Sequence, residues 1–133
     1  MQQIEYSDIV KDHFRNPRNT GTMVNANAIG EDRNPVCGDH TKLFLFIENE
    51  KIKKASFLTR GCAAAIATSS AATEMIIGLT IKEARCLRKQ DFVDNVGGLP
   101  KSKVHCSVLV NKALEKALAS YDCLLYTSPS PRD

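Results

Sequence analysis

Leu43-Phe44-Leu45-Phe46-Ile47-Glu48-Asn49-Glu50-Lys51-Ile52-Lys53-Lys54-Ala55-Ser56-Phe57-Leu58-Thr59 reads as a strand, a tight connection and a returning strand. Leu43, Leu45 and Ile47 alternate with Phe44 and Phe46, so both faces are apolar and the strand is expected to be covered from both sides. Glu48 to Lys51 is the hairpin connection and Ile52 to Thr59 the second strand, which makes the pair antiparallel. Downstream, Gly61 to Ile77 is a run of Ala, Ile, Ser, Thr and Met. Its small side chains suit a helix packed closely on that sheet, and Gly78 is placed to end it.

Working outward, a second and more exposed helix is expected from Thr80 or Ile81 to Lys89. Asp91 to Lys103 holds Gly97-Gly98 and Pro100 and reads as a short helical turn followed by a loop. The last helix starts near His105, with Val110, Leu114, Ala117, Leu118 and Tyr121 at helical spacing. On the N-terminal side, Tyr6, Ile9, Val10, His13 and Phe14 mark one face of a short helix, capped by Ser7 or Asp8 and ended by Asn16-Pro17. Arg18 to Asp39 is turn-rich, with at most one weak strand at Ala28 to Arg33.

The 133 residues make one domain, expected over 1–124. Residues 125–133, containing Thr127-Ser128-Pro129-Ser130-Pro131, lack periodicity and apolar content and read as a disordered or non-native tail. Hydrophobic residues are 43% and charged residues 25%, which argues for a folded, water-soluble chain over disorder or coiled coil. A net charge of +3 is too small to imply nucleic acid as a partner. No run approaches the roughly 20 apolar residues of a membrane span, because Thr68, Ser69, Ser70, Thr73 and Glu74 interrupt Ala63 to Leu79. Met1 to Arg15 lacks the apolar centre of a secretory signal, so a cytoplasmic, reducing location is expected.

In such a compartment, five widely spaced cysteines point to metal, catalytic or core thiols and not to disulfides. Cys37, Cys62 and Cys106 each fall where a Gly-rich or polar loop meets an element, whereas Cys86 and Cys123 do not. Cys37 precedes Gly38 and Asp39, so a carboxylate can face the same point as the thiol. Cys62 and Cys106 stand at helix starts, where unpaired N–H groups and the helix dipole favour thiolate. Lys103 and a protonated His105 would lower the Cys106 pKa further. Three thiolates, a carboxylate and an imidazole suit zinc or an iron-sulfur cluster. No Cys-x-x-Cys knuckle is present, so the fold must bring the ligands together. The competing reading makes these cysteines small core hydrophobes. Cys86, between charged residues on a helix, fits that reading, and Cys123 borders the tail. His13 reads as packed on its helix, His40 as a strand-entry side chain or a ligand, and Lys51, Lys53 and Lys54 as a solvated hairpin edge.

Asn34-Pro35-Val36-Cys37-Gly38-Asp39, Gly61-Cys62 with the Ala/Ser-rich helix through Ser70, and Leu99-Pro100 with Lys103 and His105-Cys106-Ser107 together resemble the IscU/NifU-type iron-sulfur cluster assembly scaffolds. Tyr6-Ser7-Asp8, His13-Phe14 and Asn16-Pro17-Arg18-Asn19 extend the resemblance, which runs from about residue 4 to Tyr121. It implies an α+β fold, a three-stranded antiparallel sheet with helices packed mainly on one face. It also implies a site built from Cys37, Asp39, Cys62, His105 and Cys106, on which iron and sulfide form a [2Fe-2S] cluster. The family is a scaffold and carrier, not an enzyme. Its implied partners are a cysteine desulfurase that supplies persulfide sulfur, iron or electron donor proteins, and acceptor apoproteins. The resemblance places persulfide acceptance on Cys106 first and Cys62 second. It connects Asp39 with lability, since a hard oxygen donor matches a cluster iron less well than thiolate.

Two departures qualify the match. Ala63-Ala64 stands where many members carry Gly after the second cysteine, and Leu99-Pro100-Lys101-Ser102-Lys103 stands where the branch recognised by an Hsp70-type chaperone reads Leu-Pro-Pro-Val-Lys. The zinc-dependent sulfur-acceptor branch carries an insertion before its third cysteine and lacks the preceding His; neither holds here. A zinc-loaded sulfurtransferase subunit, with zinc in place of the cluster, is the alternative function. A Cys-His hydrolase using Cys106 is a weaker one, because His105 adjoins its would-be nucleophile.

Overall fold

A computed structural model describes residues 6–35 and 38–127. The central sheet has three antiparallel strands, β1 (Ala28–Arg33), β2 (His40–Glu48) and β3 (Lys51–Arg60), in the order β1-β2-β3. The segment expected to be at most weakly extended is thus a full edge strand. Between β2 and β3 the chain turns through Asn49 and Glu50, both at positive φ (54° and 64°). Two such residues make the turn whose twist matches a hairpin.

Helix α1 (Asp8–Arg15) precedes the sheet; α2 (Ala63–Ile76), α3 (Ile81–Arg85), α4 (Lys89–Asn95) and α5 (His105–Thr127) follow it. Ser7 caps α1, its Oγ accepting from the Val10 N–H at 3.1 Å and donating to the Val96 carbonyl. The core joins Leu43, Leu45 and Ile47 of β2 to Ala28, Ile52, Ala55 and Phe57 of the neighbouring strands and to Ile76, Val110, Ala113, Leu114 and Ala117 of the helices. Burying a Leu or Ile side chain is worth about 1.5–3 kcal/mol, so this one face carries most of the apolar stabilisation. The protein is α+β, with α2 and α5 packed on that face of the sheet.

The opposite face departs from the expectation of cover on both sides. Ile29 and Leu58 are 40% and 44% exposed there. Phe44 is nevertheless only 5% exposed, with the Lys42 ammonium 5.5 Å from its ring centroid, so a snorkelling side chain supplies cover that a helix layer does not.

Helix α2 is buried nearly all round, including Thr68, Ser69, Ser70 and Thr73. Three of those hydroxyls bond locally, Thr68 donating to the Ala64 carbonyl at 2.6 Å, Ser69 to the Ala65 carbonyl at 2.9 Å and Thr73 to the Ser70 carbonyl at 2.6 Å, while Ser70 Oγ accepts from the Arg18 N–H at 2.8 Å. Small polar residues can therefore sit inside without unpaired groups. His13 is buried as expected, with Nδ1 2.8 Å from Ser70 Oγ and Nε2 3.5 Å from Glu74 Oε1. Burial of its ring, helped by the Arg18 charge, holds its pKa below the ordinary value of 6.5.

Two boundaries differ from the sequence expectation. The helix expected up to Lys89 stops at Arg85 with Cys86 as its C-cap, and α4 opens where the Arg88 N–H donates to Asp91 Oδ2 at 2.7 Å. Phe92 and Val93 are buried, so the expected turn and loop begin with a packed helix. At the C-terminus α5 continues through Thr127, past the boundary expected after residue 124; residues 128–133 of the expected tail lie outside the described residues. Among the described residues no helix is long and apolar enough to cross a membrane.

Candidate metal centre

Three loop-to-element junctions meet at one end of the sheet. Before β2 the chain turns tightly, with the Gly38 N–H donating to the Asn34 carbonyl and the Asn34 N–H to the Asp39 carbonyl, each at 2.8 Å. Gly38, at φ 81°, permits that turn. After β3, Gly61 leads into Cys62, the N-cap residue of α2. After the 3-10 turn Lys101–Lys103, α5 begins at His105, so Cys106 lies in its first turn.

A carboxylate oxygen of Asp39 and the sulfurs of Cys62 and Cys106 all lie within 4.8 Å of one another. Cys62 Sγ is 3.8 Å from Cys106 Sγ and 3.9 Å from Asp39 Oδ2. A tetrahedral ion with metal–sulfur bonds near 2.3 Å sets its ligands roughly 3.8 Å apart, so this spacing fits a shared metal. His105 Nε2 is 3.8 Å from Cys106 Sγ but outside the group of three. Cys37 lies outside the described residues. His40 turns away and sits 2.6 Å from Glu31 Oε1, so it is not among the converging ligands. Cys86 is exposed, not packed as expected, because α3 ends on it. The side chain of Cys123 lies outside the described residues.

The electrostatics correct one expectation. Cys106 is 1% exposed, and its pKa is pushed up to about 12, first by burial and then by the neighbouring Cys62 and Asp39 charges. Lys103 pulls the other way, as expected, but does not outweigh burial. Helix position alone therefore does not make Cys106 a thiolate. Lys103 is drawn chiefly to Cys62, whose charge raises the lysine pKa. Tyr6 lies within the same field, its pKa raised by burial and lowered by Lys103, and with Leu99 it packs on Ala64, Ala65 and Cys106.

Sequence reading missed two contributors. Tyr6 was read on the face of the first helix and in the Tyr6-Ser7-Asp8 motif, with no link to Cys106 100 positions away. Gly61 was read as the glycine before Cys62 at the helix entry, with no link to Asp39, yet a Cβ built on it would lie 2.7 Å from Asp39 Cγ and 2.9 Å from both carboxylate oxygens. The Asp39 carboxylate occupies the space that a side chain at 61 would take.

This α+β chain folds two thiols and a carboxylate from separate loops into one partly covered corner, a donor set that could hold a metal ion. The model of the family described as NifU-like N terminal domain matches residues 5–124, and the chain belongs to that family. The iron-sulfur cluster assembly scaffold protein IscU of Archaeoglobus fulgidus is 48% identical over 116 residues, covering 87% of this chain and 76% of the relative. Its namesake from Aquifex aeolicus is 42% identical over 119 residues, covering 88% and 76%. Among solved structures, a protein from Fervidobacterium islandicum named provisionally as a SUF-system iron-sulfur cluster assembly scaffold superposes with a TM-score of 0.66. It shares 26% identity, with 85% of this chain and 96% of that one covered.

Proposed function

We propose that this chain is a scaffold on which a [2Fe-2S] cluster is assembled from iron and desulfurase-derived sulfur and then passed to acceptor apoproteins. The observation that carries the reading is the convergence of Asp39, Cys62 and Cys106 within 4.8 Å from three loops distant in sequence. The names of the Archaeoglobus and Aquifex relatives support it. Cys37, from the loop that delivers Asp39, is the proposed third thiolate, and His105 stands beside Cys106 as a further donor.

Cluster iron prefers thiolate, so Cys62 and Cys106 hold it and Asp39 makes the weak bond that allows release. Cys106 is the proposed persulfide acceptor, with Cys62 second. In that step the acceptor thiolate attacks the outer sulfur of the partner's persulfide, a new S–S bond forms, and the partner's cysteine leaves as thiolate. Because burial keeps Cys106 protonated, its proton must depart first, either to solvent on uncovering or on metal binding. The 3.8 Å between the sulfurs lets a sulfur atom held on one be reached by the other.

The test is anaerobic reconstitution with ferrous iron, cysteine, a cysteine desulfurase and a thiol reductant that supplies the electrons taking persulfide sulfur to sulfide, read by the visible spectrum and the iron-to-sulfide ratio. The expected result is a [2Fe-2S] spectrum with equal iron and sulfide, lost in Cys37→Ala and Cys62→Ala. The same donors also suit zinc. Sulfur transfer to a zinc-loaded chain that never gains a visible chromophore would establish the sulfurtransferase reading instead.

A further inference from the structure

Strand alternation sends Asp39 toward the sulfurs and its neighbour His40 to the other face of the sheet, where a cleft of about 500 Å³ opens. We propose that this cleft binds a small multivalent oxyanion, phosphate or polycarboxylate in chemistry. Register carries the inference. Arg33 pairs with His40 across β1 and β2, and His40 pairs with Arg60 across β2 and β3. Directly opposed residues project to the same face, so two guanidinium groups flank one imidazole in a single row. In the next row on that face, Lys42 stands between Glu31 and Leu58. Arg33, Gly38, His40, Lys42 and Arg60 line the cleft, with Leu58 as an apolar wall.

Arg33 and Arg60 carry like charges at the two ends of this row, so negative charge is favoured between them. The chain supplies one carboxylate: Glu31 lies 2.6 Å from His40 Nε2, and this bond with the surrounding His40, Lys42 and Arg33 charges holds its pKa below the ordinary value. Among the described residues neither Arg33 nor Arg60 forms an ion pair. One acid thus faces three cations and an imidazole. Guanidinium groups bind oxyanions in a bidentate fork, and the cleft falls within the roughly 300–1,000 Å³ typical of small-molecule sites. Its concave form and limited extent favour a small anion over an extended acidic surface. The inference does not depend on the cluster reading, since none of Arg33, His40, Lys42 and Arg60 belongs to the sulfur site.

Titration of the full ¹⁵N-labelled chain with inorganic pyrophosphate and, separately, citrate tests it, with sodium chloride matched for ionic strength. The expected result is saturable amide shifts clustered at residues 31–33, 40–42 and 58–60. Affinity should fall about tenfold or more in R33Q/R60Q and stay unchanged in K82Q, which alters an exposed lysine on α3. The better of the two probes assigns phosphate or carboxylate chemistry. Linear shifts without saturation, shifts centred on Lys51, Lys53 and Lys54, or equal weakening in K82Q would each overturn the site. Melting curves of the variants show that any loss of binding is not loss of fold.

Discussion

Gly61 shapes the metal corner by having no side chain. Its backbone lies outside the left-handed region, so alanine can adopt the same conformation, but the added Cβ would meet the Asp39 carboxylate at 2.7–2.9 Å. A short carboxylate gives way more readily than backbone, so Gly61→Ala should move Asp39 off Cys62 while the fold survives. We expect Gly61→Ala to release its cluster to an acceptor several-fold more slowly, as Asp39→Ala does, with the double variant no slower than either single one. Transfer assays on the three variants check this, and release at the parental rate in Asp39→Ala would remove the role assigned to that residue. His13 gives a second prediction. Its folded pKa is depressed, so the unfolded chain binds the proton more readily; the stability it contributes is present above pH 6.5 and lost as pH falls through the lower folded value. Chemical denaturation from pH 7.5 to 5 should show that fall, flattened in His13→Gln. The Gly61-Cys62 and Cys37-Gly38-Asp39 motifs are legible because each is local in sequence. The contact between Gly61 and Asp39 is not, since it joins residues that only the β2–β3 pairing brings together.

At the level of elements, β1 and α5 meet backbone to backbone at Gly30. A Cβ at Gly30 would lie 2.2 Å from both the Ala113 carbonyl oxygen and the Ala117 nitrogen, which are backbone atoms that cannot rotate aside. Gly30→Ala should therefore cost about 1–3 kcal/mol, the usual range for overpacking, measured by urea midpoint. A smaller loss would show that α5 can slide outward. The hairpin and α2 are readable in sequence because alternation and small-residue content are strong local signals. Helix α4 is hidden because Gly97-Gly98 and Pro100 dominate that stretch. Yet Phe92, Val93 and Val96 fall at i, i+1 and i+4, a helical face that is buried in the structure. The expected two-sided cover of β2 fails for a different reason: Phe44 is shielded by a long lysine, which periodicity reads as plain burial.

Across the whole molecule, the candidate donors gather at one end of the sheet, and cysteines elsewhere should be dispensable. Cys86, exposed at the end of α3, is the clearest case: Cys86→Ser should reconstitute with the same iron-to-sulfide ratio as the parent. A folded Cys86→Ser chain that failed to assemble a cluster would show that the wrong thiols were chosen. The donors that converge are 23 and 44 positions apart along the chain. A ligand grasping all three thus ties distant segments together, as a knot ties loose cord. By mass action, such cargo adds its own binding free energy to resistance against heat. The laden carrier should therefore melt at a higher temperature than the empty one, and delivery carries a thermodynamic penalty: each handover returns the carrier to its more fragile condition.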